Sequence, residues 1–546
     1  MPNLDIQTPG GHQTIELDKE AVSVGRQMGN TLMLKDDLVS RFHCVIEQAD
    51  GQWQLRDLGS RNGVKVNGQP VKSRRLEDGD LIQVGRTQIT FDSAVSLAGM
   101  EPDPIPEPPT PRAEKIDTSA PPDKSLKQLA ESLPEKPFGV LGFDILNARG
   151  HIVHAANTTP EGSAEAVMLL RMVLLVCFRT RASDVHVEPK TGGYTIRIRV
   201  DGGMVEVAKL KKETGVRLTS LVKILADIDI AQRNIIQEGG FGVRLTDRGV
   251  DYRVSFTPSM YGQKLVLRVL DAANSPRYLW DLGLPESYYK PLERAMKRDE
   301  GMFLVCGPTG SGKTATLYAS IRSIDTAERN VVTIEDPVEI KLPGVTQMPV
   351  VADQGNTFAN LLRSTLRQDP DVIMVGEIRD DETAKTALQA AMTGHLVFST
   401  VHSKDTLGTI FRLIDLGVEP YAVASGLQIV LGQRLVRRLC DACKRAVAIT
   451  PDQRQQMGTE AEGLEKICTG VGCGKCLGTG YAGRGAIFEL LNMTDEVRYA
   501  IQAGQGPMPV VEVLKSQGFR KLAQNGYAMV ARGDTSFEEI DRVVGD

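Results

Sequence analysis

The stretch that most constrains this chain is residues 307–314, which read GPTGSGKT. It follows the apolar run 302–306, which predicts a buried strand, and it precedes residues 315–321, which predict a helix. Glycines at such a turn let the backbone wrap a phosphate, whose oxygens bind N–H groups of the loop and of the helix terminus. In this pattern Lys313 reaches the β- and γ-phosphates and Thr314 offers its hydroxyl to Mg²⁺. The stretch predicts a nucleotide-binding P-loop formed by Gly307, Pro308, Thr309, Gly310, Ser311, Gly312, Lys313 and Thr314.

The composition limits the class of protein. A chain of 546 residues predicts about three or four domains. The formal net charge of -5 carries no electrostatic footprint of nucleic-acid binding, so we expect no direct nucleic-acid partner. The most apolar run, 166–178, contains Arg171 and is too short to span a bilayer, and the first residues lack the basic and apolar parts of a signal peptide. We therefore expect a cytoplasmic protein.

Residues 1–95 consist of short alternating apolar runs separated by Asp-Gly, Asn-Gly and Gly-Asp turns, which is typical of an all-β sandwich. Their loops carry arginines, serines and amides of the kind that bind phosphate, namely Arg26, Ser40, Arg41 and Asn62. Together with His43, these residues make the segment resemble the forkhead-associated (FHA) domain, which recognises phosphothreonine peptides. The resemblance implies that the four residues line a phosphopeptide site and that His43 braces the loop. The alternative is a sandwich that keeps them for its turns.

Residues 96–125 contain a proline-rich, acidic stretch with eight prolines between positions 101 and 123. Such a segment buries no core and predicts an extended, semi-rigid linker. Residues 126–275 then mix helical and alternating strand patterns, which predict an α+β domain. His186, which lies in one of these alternating runs, is interpreted as structural rather than as a ligand.

Three apolar runs after the P-loop end in acids or a histidine, where open parallel sheets place their ligands. They lead to Glu335, Glu377 and His402. Phosphoryl transfer to water needs a carboxylate to orient the water and polar groups near the γ-phosphate. Glu335 and Glu377 are the predicted carboxylates, and His402 is predicted to sense the γ-phosphate. Taken singly, each acid is more often a helix cap or a surface residue.

The segments 307–314, 333–339, 375–380 and 393–402 resemble the Walker A, aspartate, Walker B and histidine boxes of the secretion ATPase superfamily, which drives type II secretion and type IV pilus assembly. The resemblance implies that residues 126–275 form the N-terminal, PAS-like domain and that residues 276–546 form a RecA-like P-loop domain. It also implies that Arg253 and Arg268 close onto the γ-phosphate as arginine fingers. The expected cofactors are ATP and Mg²⁺, and the expected partners are five further copies in a hexameric ring and an inner-membrane platform protein.

Four cysteines form two CxxC pairs, Cys440 with Cys443 and Cys473 with Cys476. Four thiolates at this spacing predict a closed tetrahedral Zn²⁺ site that stabilises a small subdomain at about 440–476. A thioredoxin-like redox pair is the alternative, but it does not need two copies. By resemblance, the insert is typical of assembly and secretion ATPases rather than of pilus-retraction ATPases.

The predicted fold class is multidomain: an all-β FHA sandwich, an α+β N-terminal ATPase domain, and an α/β RecA-like P-loop domain with a zinc-binding subdomain. The leading hypothesis is a cytoplasmic ATPase motor, peripherally associated with the inner membrane through partners and regulated by a phosphothreonine-containing protein. The alternatives are a retraction or DNA-uptake motor of the same superfamily, and a phosphopeptide-binding scaffold whose ATPase half has decayed.

Overall fold

The computed structural model describes residues 3–8, 11–16, 21–26, 30–34, 36, 38–49, 52–92, 122–133, 138–158, 164–504 and 506–545. The chain forms two compact units, Met1–Pro104 and Ile105–Asp546. Most of the predicted linker lies outside the described residues, and its last four residues belong to a helix that begins at Pro122. The boundary predicted between residues 275 and 276 falls inside the second unit and stays a prediction.

The first unit is an all-β sandwich, as the turn-rich sequence predicts. Its described strands are β1 (Asn3–Thr8), β2 (Gly11–Glu16), β3 (Ala21–Gly25), β4 (Leu32–Met33), β5 (Cys44–Ala49), β6 (Gln52–Asp57), β7 (Val64–Val66), β8 (Gln69–Val71), β9 (Ser73–Arg75), β10 (Asp80–Val84) and β11 (Thr87–Asp92). They form one sheet in the order β2-β1-β11-β10-β7-β8 and a second in the order β4-β3-β5-β6-β9. Strand β10 alternates buried and exposed residues, and its Ile82 joins Val24 and Leu55 of the other sheet in a common core.

The second unit begins with a sheet whose strand pairs are all antiparallel, covered by three helices. The helices are α1 (Pro122–Ser132), α2 (Ala164–Thr180) and α3 (Lys212–Leu225). The strands are β12 (Asp144–Leu146), β13 (Ile152–His154), β14 (Asp184–Lys190), β15 (Gly193–Val200), β16 (Gly203–Leu210), β17 (Gln237–Arg244), β18 (Gly249–Ser259) and β19 (Gly262–Leu270), in the order β13-β12-β17-β18-β19-β14-β15-β16.

Helix α2 is the apolar run that contains Arg171, and it is buried along most of its length. The guanidinium of Arg171 is fully buried and donates to the carbonyls of Phe143 at 2.8 Å and Ala155 at 2.9 Å. It also lies 5.2 Å from the ring centroid of Phe143. A buried cation is tolerated where most of its donors are used, and both terminal nitrogens of Arg171 donate to carbonyls, so the charge that interrupts the apolar run is accommodated inside the core. Among the described residues, no helix is long and apolar enough to cross a membrane.

The rest of the second unit is built on a mainly parallel sheet. Its strands are β20 (Gly301–Cys306), β21 (Val331–Glu335), β22 (Thr346–Pro349), β23 (Val372–Val375), β24 (Leu396–Val401), β25 (Leu427–Leu439) and, after a hairpin of β26 (Lys444–Ala448) and β27 (Lys466–Gly470), β28 (Tyr481–Asn492). The order is β22-β21-β23-β24-β20-β25-β28, and only β28 runs antiparallel to its neighbour. This is the α/β architecture that the strand-loop-helix pattern predicts.

Helices cover this sheet, and among the described residues three apolar clusters fill the space between the helices and the sheet. They are α4 (Glu286–Met296), α5 (Lys313–Ile321), α6 (Phe358–Thr365), α7 (Asp381–Met392), α8 (Thr406–Asp415), α9 (Pro420–Gly426), α10 (Pro451–Met457), α11 (Asp495–Gln502), α12 (Pro507–Ser516), α13 (Leu522–Ala531) and α14 (Phe537–Val544).

A buried carboxylate, that of Glu489 on β28, joins two of these helices to the sheet. One oxygen accepts from the main-chain N–H and the hydroxyl of Thr406, at 3.0 and 2.6 Å, at the start of α8. The other accepts from the N–H of Leu522, at 3.0 Å, at the start of α13. Negative charge is favourable at helix N-termini, so one side chain satisfies donors of both helices.

Candidate functional site

The predicted P-loop lies between β20, which is buried throughout, and α5, which begins at Lys313. Gly312 has φ 87°, in the left-handed region that glycine adopts without strain, and a Cβ there would lie 2.8 Å from Nε2 of Gln433. A Cβ at Gly307 would lie 2.5 Å from the carbonyl oxygen of Gln433. The loop therefore needs glycine both for its turn and for its close approach to strand β25.

Three side chains of this loop suit a bound nucleotide. Lys313 is buried and its Nζ donates to the carbonyls of Gly307 at 2.9 Å and Pro308 at 3.1 Å. Ser311 is also buried, and its hydroxyl has no hydrogen-bond partner among the residues the structure describes. Thr314 is exposed in the first turn of α5. A cationic donor, an unpaired buried hydroxyl and a free hydroxyl at a helix N-terminus fit triphosphate oxygens and Mg²⁺.

Glu377 and His402, predicted at neighbouring strand ends, are brought together. Nε2 of His402 lies 3.5 Å from a carboxylate oxygen of Glu377. The other oxygen of Glu377 accepts from Arg379, which also lies 3.7 Å from Asp336. Arg379 was part of a recognised sequence box but had no predicted role. The strands β23 and β24 are parallel neighbours, so their carboxyl ends place these groups at one edge of the sheet.

The charges in this cluster are strongly coupled. Burial opposes ionisation of Glu377, but the hydrogen bond and charge of Arg379 outweigh it and hold the pKa of Glu377 below its usual range. Burial lowers the pKa of Lys313, although the charge of Glu377 opposes that shift. Burial, assisted by the charge of Lys313, also lowers the pKa of His402, so its imidazole is neutral near pH 7.

Glu335 is held in a different set of contacts. It is the last residue of β21 and is buried. One oxygen accepts from Thr333 at 2.5 Å and Gln347 at 2.9 Å, and the other accepts from the hydroxyl of Tyr318 on α5. Both oxygens thus have donors that fix α5 and β22 to β21. The structure does not bring Glu335 into hydrogen-bond contact with the P-loop or Glu377 among the described residues, and its catalytic role stays a prediction.

Arg253 and Arg268 are directly opposite each other on β18 and β19, so their side chains share one face of the antiparallel sheet. Arg253 donates to the carbonyl of Val338 at 3.4 Å, just beyond β21. Arg268 is exposed and pairs with Asp184 at 3.1 Å. Arg253 therefore contacts the loop that follows β21, in the sheet that carries the P-loop, whereas Arg268 is paired with a residue of its own antiparallel sheet. The arginine-finger role of both residues stays a prediction.

Two residues of β25 that carried no predicted role support the loop. The side-chain oxygen of Gln433 accepts from Thr316 of α5 at 2.7 Å. Arg434 donates to the carbonyls of Gln433 and Lys404, and so joins the strand to the segment just after His402. The contact between Gln433 and Thr316 joins residues 117 positions apart along the chain, so no local sequence pattern indicates it.

The four predicted cysteines form one cluster whose sulfur atoms all lie within 4.8 Å of one another. The Cys440–Cys473, Cys443–Cys476 and Cys473–Cys476 sulfur separations are 3.9, 3.8 and 3.8 Å. A tetrahedron with Zn–S bonds of about 2.3 Å has edges of about 3.8 Å. The main-chain N–H groups of Gly472 and Gly480 also point at these sulfurs, at 3.3 Å each. The site therefore fits a tetrahedral ion of this size and the negative charge of thiolates.

The phosphate-binding residues predicted in the first unit lie on loops that are tied together. Ser40 donates its N–H to Nδ1 of His43 at 3.0 Å and accepts from the N–H of Arg61 at 3.0 Å. The other nitrogen of His43, which is fully buried, lies 3.1 Å from the carbonyl of Gly63. Asn62 donates to the carbonyl of Leu38 at 2.7 Å. His43 thus connects the two loops, as the resemblance implies.

The two arginines predicted for this site, Arg26 and Arg41, are both exposed. The N–H of Arg26 donates to the carbonyl of Ser40 at 3.0 Å, which places the two loops side by side. A Cβ at Gly25 would lie 2.2 Å from the carbonyl oxygen of Arg41, so glycine is needed for this approach. The guanidinium groups are available to an anion, and binding by them stays a prediction.

Comparisons with known proteins agree with this architecture. Residues 160–542 match the Type II/IV secretion system protein family, and residues 22–85 match the FHA domain. The ATPase DotB of Legionella pneumophila has a similar fold, with a TM-score of 0.52 and 21% identity over 69% of this chain and 95% of that one.

Curated relatives are similar over about 70% of this chain. Type II secretion system protein HxcR of Pseudomonas aeruginosa is 40% identical over 386 residues, which are 71% of this chain and 79% of that protein. Type II secretion system protein E of Dickeya dadantii is 42% identical over 70% of this chain and 76% of its own length. The type IV pilus assembly ATPase PilB of Thermus thermophilus is 40% identical over 69% of this chain and 42% of its own length.

The fold and the glycine-rich loop define a P-loop protein of the secretion and pilus class, with an FHA domain at its start. The chain belongs to the Type II/IV secretion system protein family.

Proposed function

We propose that this protein is a Mg²⁺-dependent ATPase motor that powers type II secretion or type IV pilus assembly. The observation that carries the proposal is the P-loop beside the Glu377–His402 pair, which puts a phosphate cradle and a carboxylate at one edge of the parallel sheet. Membership of the family, and relatives named for secretion and for pilus assembly, support the same reaction class.

In this proposal the P-loop, Glu377 and His402 each have a separate role. The N–H groups of the P-loop and Lys313 bind and orient the triphosphate. Glu377, kept ionised by Arg379, accepts a hydrogen bond from the attacking water and orients it. Neutral His402 lies beside Glu377 and reports on the γ-phosphate.

Mg²⁺, held near Thr314, would neutralise charge that develops on the phosphates. Arg253 and Arg268 would supply further positive charge from the preceding domain, and Glu335 is retained as a second candidate carboxylate. The two arginines lie on one sheet face, which supports their joint action on an anion.

The family resemblance extends the proposal to the assembly. We propose a homo-hexameric ring on the cytoplasmic side of the inner membrane, working with a platform protein, in which residues 126–275 and 276–546 act as the two moving domains. Electron microscopy with a non-hydrolysable ATP analogue tests this: six-membered rings are expected, and a protein that stays monomeric with saturating analogue and platform protein contradicts it.

We further propose that the tetracysteine cluster binds structural Zn²⁺ and that residues 1–95, joined by the linker at 96–125, bind a phosphothreonine-containing partner through Arg26, Ser40, Arg41 and Asn62. The sulfur separations support zinc, and the joined loops with exposed arginines support phosphate recognition. The tetracysteine insert favours assembly or secretion over retraction.

The ATPase proposal is tested with Glu377→Gln in the full chain. The amide keeps the shape but not the charge, so phosphate release should fall by roughly a hundredfold or more while binding of an ATP analogue persists. Removal of Mg²⁺ with EDTA should abolish turnover in the wild type.

Glu419→Gln is the matched control, because Glu419 is exposed and makes no side-chain cap bond at the start of α9. It should leave turnover unchanged. Full hydrolysis by Glu377→Gln, or full hydrolysis in EDTA, would contradict the proposal.

A further inference from the structure

The segment 473–484, which contains the second cysteine pair and the first residues of strand β28, touches the antiparallel-sheet part of the same unit at three places. Leu477, the residue after Cys476, packs against the apolar core that α1, α2 and α3 form with their sheet. Gly474 lies beside Ser132 at the end of α1, since a Cβ on Gly474 would be 3.9 Å from the Cβ of Ser132. The tetracysteine cluster is thus next to a domain that supplies none of its sulfurs.

The third contact is polar and involves Asp201, in the turn between β15 and β16. One oxygen accepts from the N–H of Gly483 at 2.7 Å, and the other lies 3.7 Å from Nε of Arg484. The Asp201 side chain is 15% exposed, so this charge-assisted bond is partly shielded from water. It joins residues 282 positions apart along the chain.

The contacts of this segment depend on the cysteine cluster for their shape. Leu477 has φ 55°, a left-handed conformation that a branched side chain adopts only when its surroundings impose it. Two residues that follow Leu477 are tied to the cluster: the N–H of Gly480 points at the sulfur of Cys476 at 3.3 Å, and the N–H of Gly478 donates to the carbonyl of Cys473 at 2.9 Å. An ion that fixes the four sulfurs therefore also fixes where Leu477 points.

The antiparallel sheet that is held through Asp201 also carries Arg253 and Arg268. Arg199, two residues before Asp201, is opposite Asp184, Asp184 is opposite Arg268, and Arg268 is opposite Arg253. These residues form one row across four neighbouring strands. A displacement of the Asp201 turn moves the end of this row, and the far end of the row, Arg253, contacts the loop after β21.

We propose that residues 473–484 are a zinc-dependent clamp that holds the antiparallel sheet, and with it Arg253 and Arg268, over the ATPase sheet in the arrangement described here, which is one of those between which the two domains move. Leu477 and Asp201 are positioning residues in this scheme, and the clamp rests on the zinc binding proposed above. Zinc in this protein then has a second role besides holding its own small subdomain.

Hydrogen exchange of the full chain, read by mass spectrometry, tests the clamp. Leu477→Ala removes the apolar contact and keeps the four cysteines, and alanine at φ 55° adds no new backbone requirement. Amides of α1 and of residues 199–204 should exchange roughly tenfold faster in Leu477→Ala, with one zinc per chain still bound. Removal of zinc from the wild type with a chelator should give the same pattern.

Leu464→Ala is the matched control, because Leu464 lies in the same insert but packs against a different apolar cluster. It should leave α1 and residues 199–204 unchanged. Asp201→Gly and Asp201→Asn separate the polar contact from backbone strain: both tolerate the left-handed φ of 49°, but only asparagine retains an acceptor for Gly483, so only glycine should speed exchange.

Two results would overturn the clamp. One is a rise in amide exchange rate that is confined to residues 440–484, both after zinc removal and in Leu477→Ala. The cluster would then stabilise nothing outside its own insert. The other is a purified wild-type chain with intact cysteines that holds no zinc. Because neither readout uses ATP turnover, failure of the clamp is distinguishable from failure of the ATPase proposal.

Discussion

Two regions of this chain are suited to phosphate, and they are built in different ways. The P-loop is a continuous stretch between a buried strand and a helix, of the kind whose N–H groups bind phosphate oxygens, and its own side chains Lys313 and Ser311 are buried. The FHA loops instead present exposed arginines from separate segments, and a buried histidine joins the loops. A backbone cradle suits a ligand enclosed during chemistry, whereas exposed side chains on braced loops suit a ligand carried by another protein.

The variant with the largest expected effect is Lys313→Ala, which tests the P-loop side of this comparison. Lys313 supplies the buried charge of the cradle, so its loss should reduce ATP turnover by more than about a hundredfold. Steady-state phosphate release measures this. Lys341→Ala, at an exposed position of the same sheet region, is the control and should behave as wild type. Turnover within a few-fold of wild type in Lys313→Ala would mean that the cradle does not depend on its lysine.

A smaller effect is expected at the FHA loops. Removal of one exposed guanidinium in Arg26→Ala should weaken binding of a phosphothreonine peptide by roughly tenfold to a hundredfold, since a hydrogen bond to a charged group contributes about 1.5–3 kcal/mol. Fluorescence anisotropy with labelled peptide measures the change. Arg75→Ala, exposed on β9, is the control. Equal binding of phosphorylated and unphosphorylated peptides would leave the first unit without a phosphate site.

A change of pH should alter ATP turnover by only a few-fold, and it offers a further way to distinguish the two phosphate regions. The pKa of His402 is lowered by burial, so His402 is neutral at pH 7 and gains a proton only as the pH falls below about 6.5. Glu377 stays ionised through this range because its pKa is lowered. ATP turnover at saturating ATP should therefore be flat from pH 8 to about 6.5 and should fall below it, and the fall should be absent from the residual activity of His402→Gln.

Phosphopeptide binding should weaken over a similar range for another reason, because the peptide's phosphate loses its second charge below a pKa of about 6. This loss should persist in His402→Gln. If both pH responses vanish together in that variant, the two phosphate regions are coupled rather than separate.

The sequence predicted the features that lie close together along the chain. The P-loop, the strand-end positions of Glu377 and His402, and the CxxC pairs depend on local spacing, and the all-β and α/β layers follow from local periodicity. The contacts of Glu335 were not predictable in this way, because Tyr318 and Gln347 lie 17 and 12 residues away with no pattern that links them. The same holds for Leu477, which stands in a glycine-rich segment where no period indicates burial.

The contact partners of charged side chains were the least predictable from local sequence pattern. Arg171 reads as an interruption of an apolar helix, yet it is fully buried against main-chain carbonyls that lie 16 to 28 residues before it. Arg379 reads as one more charged residue after a strand, yet its hydrogen bond and charge outweigh burial and help to lower the pKa of Glu377. The partners of Arg171 are set by how separate segments pack, whereas the contact of Arg379 with Glu377 is set by how the chain turns after β23, and the residue types alone specify neither.

The carboxylate of Glu489 has a practical consequence for how the protein can be shortened. One of its oxygens depends on the N–H of Leu522, so a chain that ended before this residue would bury half a carboxylate without its donor. Helix α13 is in this sense part of the nucleotide-binding fold and not an appendage to it. A trimmed version made for crystallisation or for fusion to another domain should therefore be cut at the proline-rich linker, and should keep its C-terminal helices.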